Sequence, residues 1–160
     1  MYKSQADAVK EWLQAYRGNQ EHIDKQLDKL RTMKARMMSV GAQELTDMPK
    51  APNASNDRMT EYVIRVENLE LSIQNEIAVQ EESRKVICDL IKQLEKPEEM
   101  RIIQDRYLYC MEWSEVLERL YKSDEKYVQN IEAYRRRMFR VHEDALLKMA
   151  KGWNKYGSKS

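Results

Sequence analysis

Arg135, Arg136, Arg137 and Arg140 are four guanidinium side chains within six positions. Residues 126–160 hold nine basic residues against three acidic ones, in a chain whose formal net charge is only +1. The positive charge therefore sits at one end. A guanidinium stays charged at any ordinary pH, and its fork of donors matches the oxygens of a phosphate. A basic end on a nearly neutral chain marks a surface that meets phosphate. Three consecutive arginines fan over much of a helix circumference. They cannot all face one groove, so one or two would hold phosphates while another pairs with an acid. Just upstream stand Lys126, Gln129 and Asn130. Carboxamides can pair with adenine edges in the major groove. Asp124 and Glu125 repel phosphate, which ranks the other three above them as base readers.

Other chemistry lacks its residues. His22 and His142 have no acid or nucleophile at a recognisable spacing, and both are expected on the surface. The sequence has no Gly-rich phosphate loop, paired metal motif or nucleophile elbow. Cys88 and Cys110 fit no zinc spacing and read as buried thiols. The expectation is a chain that is not an enzyme, with no metal, no cofactor and no small-molecule substrate. The first residues carry no apolar signal segment, and no apolar run is long enough to span a membrane. A cytoplasmic address without membrane contact is expected.

The elements that position these residues are helices. Gly is 4 and Pro is 3 in 160 residues, while charged residues reach 34%. Sheet folds need turn formers at every connection, so this composition predicts an all-α fold. Steps of four and three from Val9 reach Leu13, Tyr16, Gln20, Ile23, Leu27, Leu30, Lys34 and Met37, a coiled-coil-like heptad seam. It predicts a helix over about 5–40, passing the interruption at Gly18-Asn19. Residues 41–57 hold two prolines and no apolar stripe, and read as a loop. A second helix is predicted from Asp57 to about residue 95, through Met59, Tyr62, Val66, Leu69, Ile73, Ile77, Ile87, Ile91 and Leu94. The two form a long N-terminal antiparallel hairpin, an arm over 1–95. Its small private core makes it a candidate for homo-oligomer formation.

The remainder, 96–160, reads as a three-helix lobe with a basic tail. Pro97 suits the first position of a helix running to Tyr109, and Glu98 and Glu99 favour that end. Cys110-Met111-Glu112 is a joint, and Trp113–Tyr121 a short helix. Ser123 is positioned to cap a last helix that starts beside Asp124 and Glu125. Tyr107, Trp113, Tyr127 and Ile131 fall at core spacing. A short helix, a tight joint and a capped basic helix form the layout of a helix-turn-helix.

Residues 99–123 also resemble region four of bacterial sigma factors. In that pattern an Arg-Tyr ends the first helix, an aromatic-x-Glu-Ile-Ala opens the short one, and a Ser caps the recognition helix. Arg106-Tyr107, Trp113-x-Glu115-Val116 and Ser123 fill those places. Leu117 and Tyr121 stand where the pattern has a small residue and a glycine, and their bulk must seat the helices differently. The whole layout is similar to the ArpU and RinA-like phage late-gene transcription regulators, and to a related phage family of unknown function. The resemblance implies a regulator in a bacterial host cytoplasm. It would bind double-stranded DNA through Lys126, Gln129, Asn130, Arg135, Arg136, Arg137 and Arg140, and its arm would self-associate or touch RNA polymerase. The competing reading is a helical adaptor, or an inhibitor of a host protein, that binds no DNA.

Overall fold

The computed structural model describes the backbone of residues 2–46 and 52–157, and the side chains of 5–39 and 57–153. Among the described residues the chain forms five α-helices and no strand. They are α1 (Tyr2–Thr46), α2 (Pro52–Lys92), α3 (Pro97–Ile103), α4 (Trp113–Tyr121) and α5 (Ile131–Gly157). None of them is long and apolar enough to cross a membrane.

Helices α1 and α2 pack antiparallel. The Gln80 amide donates to Gln20 Oε1 (3.5 Å), His22 lies 3.5 Å from Glu76, and Lys34 pairs with Glu70. Partner numbers thus fall on α2 as they rise on α1. Both helices run longer than their apolar periodicity predicts. In place of the loop expected over 41–57, the backbone is helical through Thr46 and again from Pro52. Ala42, Gln43, Glu44 and Leu45 are good helix formers without any stripe. Pro52 opens α2 at the position where its missing N–H costs nothing. The rest of that expected loop, residues 47–51, lies outside the described residues.

The packing divides into two units, residues 1–18 with 81–160, and residues 19–80. The largest core takes in one end of each long helix. Val9, Leu13 and Tyr16 of α1 and Ile87, Leu90 and Ile91 of α2 are buried with Ile103, Tyr107, Leu146 and Met149. Trp12 and Trp153 meet at its edge, ring centroids 4.5 Å apart. Among the described residues, the unit 19–80 buries fewer side chains. Ile23, Val66 and Ile73 are buried there together with Gln80, while Leu27 and Lys34 of the expected seam are exposed.

Gly18 lies inside α1, and a Cβ built on it would meet nothing within 4 Å. No close approach requires a glycine here. Gly18→Ala should therefore raise stability by about 1 kcal/mol through the backbone entropy of the unfolded chain. Thermal and urea melts of the two proteins measure it, and a destabilised alanine variant would contradict the assignment.

Candidate nucleic-acid interface

The lobe begins at Lys96, whose extended backbone precedes Pro97 at the start of α3. The helix then widens into a π-helical turn over Gln104–Leu108, closed by Tyr109 N–H donating to Gln104 O (2.9 Å). Cys110 takes a left-handed conformation, φ 56°, which costs a non-glycine residue about 1 kcal/mol. Two arginines hold that joint. Arg17 donates to Cys110 O (3.1 Å) and to Glu112 (3.2 Å), and Arg106 donates to Met111 O (3.0 Å). The Arg106 guanidinium also lies 4.6 Å from the centre of the Trp113 ring. The chain is thereby aimed into α4. Both cysteines are free and half-buried, where the sequence suggests buried thiols.

A second core seats α4 against α3 and α5. It buries Ile102, Val116, Leu117, Tyr121, Tyr127 and Met138. Leu117 and Tyr121, the two bulky departures from the sigma-like pattern, point into it. The connection that follows is not the tight turn and capped helix that the sequence suggests. Residues 122–130 form successive turns, with Asp124 N–H on Tyr121 O, Tyr127 N–H on Asp124 O and Asn130 N–H on Tyr127 O. Helix α5 starts only at Ile131, so Ser123 caps no helix. The reason lies in three rings. Tyr134 sits between Tyr121 (5.1 Å) and Tyr127 (5.7 Å), and burying Tyr127 draws the segment into turns. Val128 and Ile131 are left exposed, which corrects the packing role expected for Ile131.

The seven candidate residues fall into three groups. Lys126, Gln129 and Asn130 lie in the turn segment, all exposed. Asn130 donates its side-chain amide to Lys126 O (3.2 Å), and its own carbonyl accepts from Tyr134 N–H (3.1 Å), which opens α5. Arg136 and Arg140 stand exposed one turn apart, on the side of α5 away from the buried Met138, His142, Ala145 and Met149. The other two arginines are committed to acids. Arg135 pairs with Glu132 on its own helix, and Arg137 grips Glu98 of α3 through Nε (3.1 Å) and Nη2 (3.2 Å).

Glu98 and Glu99 have roles that their helix-terminal position does not announce. Glu98 also accepts from the Tyr121 hydroxyl, and burial together with this bond raises the phenol well above its ordinary range. Glu99 is buried and receives Lys148 Nζ at 2.8 and 3.1 Å. Asp124 accepts from the Tyr134 hydroxyl (2.6 Å) and from Lys126 N–H (3.2 Å), and these bonds lower its carboxyl. Glu98 and Asp124 are thus already engaged, Glu98 by Arg137 and Tyr121 and Asp124 by Tyr134 and backbone. Arg136 and Arg140 are left facing solvent.

His142 is buried, not on the surface as its isolation in sequence suggests. It takes an inward position of α5, shares a 2.8 Å hydrogen bond with the Tyr107 hydroxyl, and lies 4.8 Å from the Trp113 ring. Burial, helped by the charges of Lys10 and Arg106, pushes its imidazole down to about 4, so it is neutral at pH 7. The unfolded chain protonates it near its ordinary value of about 6.5. Its contribution is therefore complete above that pH and is lost as pH falls toward 4, by about 3 kcal/mol in all. Unfolding free energies measured across that window should show this loss, and His142→Phe should flatten it. An equal slope in both proteins would contradict the buried neutral imidazole.

No protein-family model, curated protein or solved structure matches this chain.

Proposed function

We propose that the protein is a phage-type transcription regulator that binds duplex DNA with the turn segment 122–130 and the outer face of α5. The observation that carries this reading is the pairing of Arg136 and Arg140 on one exposed helical face. That face directly follows a turn presenting Lys126 and Gln129. Phosphate contacts position a protein on DNA and base contacts specify the sequence. Arginines one turn apart supply the first kind, and an exposed carboxamide in the adjoining turn supplies the second. The likeness of residues 99–123 to sigma region four supports the same assignment and adds RNA polymerase as a second contact. The three-helix packing beneath the turn supports it independently of that likeness.

The two kinds of contact should separate by mutation. Gln129→Ala should cost about 1–3 kcal/mol on a preferred fragment and little on an unrelated one. Arg136→Ala should weaken both fragments alike and flatten the dependence of affinity on salt by about one unit. Titrations of both variants on a genome-selected fragment and an unrelated one, at two salt concentrations, decide it. A parent protein that binds no duplex at low salt would leave the helical adaptor as the better reading.

The arm supports self-association. Ile64, Leu71 and Val79 stand exposed on α2, on the side away from the buried Val66 and Ile73. Apolar residues on both sides of one helix need more cover than one partner helix gives. Light scattering should find a dimer or larger species at roughly tens of micromolar, a range where weak dimers form. A monomer there would remove the arm from the account without touching the lobe.

A further inference from the structure

We propose that Glu98 acts as an internal stand-in for a DNA phosphate, holding Arg137 in reserve and keeping non-specific duplex binding weak. This inference rests on the duplex-binding reading of the lobe. Arg137 meets Glu98 with Nε on one carboxylate oxygen (3.1 Å) and Nη2 on the other (3.2 Å). That is the two-pronged geometry in which a guanidinium takes a phosphate. Behind it the Tyr121 ring lies 5.7 Å from the guanidinium carbon and donates its hydroxyl to the same carboxylate. The pair is not sealed in the protein. The Arg137 side chain keeps 56% of its exposure, and Glu98 keeps 25%.

The location makes this pair a gate rather than a brace. Glu98, Arg101, Ser123, Asp124 and Arg137 line one depression of about 420 Å³ beside the turn segment. Arg137 lies on α5 between Arg136 and Arg140 in sequence, the two arginines that face solvent. A strand approaching them comes upon a third guanidinium already satisfied, and upon the charges of Glu98 and Asp124. Exposed ion pairs contribute little to stability, so the fold gains little from this one. Binding a phosphate with Arg137 requires exchanging one anion for another, and only a well-registered duplex makes the remaining contacts that favour the exchange.

Glu98→Gln tests this directly. Glutamine keeps an oxygen to accept from Tyr121, removes the charge and frees Arg137. The probe is a short labelled duplex of arbitrary sequence, titrated with the full chain over a range of salt. The variant should bind about tenfold tighter near 0.1 M salt, with the salt slope steeper by about 0.9, the signature of one more phosphate contact. Adding Arg137→Ala to it should cancel the gain. A parent that binds with Glu98→Gln no tighter overturns the gate alone, as does a gain that survives Arg137→Ala. A variant that binds where the parent does not supports the gate in its strongest form. If neither binds at low salt, the gate and the duplex-binding reading fall together.

Discussion

A buried acid in the first turn of α3 sets the position of α5, and the candidate interface follows from that position. Glu99 is buried and takes both its bonds from Lys148, while Glu98 takes two from Arg137. The two cations are about 16 Å apart along α5 at the ordinary helical rise. The exposed Arg137 pair adds little hold of its own, so the Lys148 bond to buried Glu99 and the packed side chains fix the rotation and register of α5. Glu99 is the more stringent of the two, since an unpaired buried carboxylate is strongly destabilising. Once α5 is so turned, Met138, His142, Ala145 and Met149 face inward and Arg136 and Arg140 face out.

The packing agrees with that constraint along the whole helix. Near its start α5 places Met138 in the core shared with α4, and further on it places Ala145, Leu146, Met149 and Ala150 in the core shared with the ends of α1 and α2. Gly152 sits where a Cβ would collide with the Gln93 side chain and press on Leu90, so α5 approaches α2 closely there. The π-helical widening and the left-handed Cys110 turn the chain between α3 and α4, and Arg17 and Arg106 hold that bend from two directions. The turn segment then inherits its place from the Tyr121, Tyr127 and Tyr134 rings.

Local pattern carried much of this into the sequence. The all-α class, the antiparallel pairing of two long helices and the start of α4 follow from composition, heptad spacing and the joint at Cys110-Met111-Glu112. Spacing also marked Val9, Leu13, Tyr16, Ile87, Ile91 and Leu94 as core, and all are buried. What escaped depends on residues distant in the chain. Ser123 looks like a helix cap because Asp124 and Glu125 follow it, but the burial of Tyr127 overrides that local preference. His142 looks solitary because its partners, Tyr107 and Trp113, come from other elements. Arg137 is indistinguishable from Arg136 in sequence, and only Glu98, thirty-nine positions away, separates them.

The central claim is that the turn segment and the outer face of α5 are what meets duplex DNA. Backbone amide NMR of the full chain, titrated with a short duplex at low salt, tests it most directly. The account predicts shifts concentrated in residues 122–140, reversed by added salt, with the amides of residues 19–39 and 57–80 unmoved. Shifts confined to those arm residues, or none at all, would contradict it.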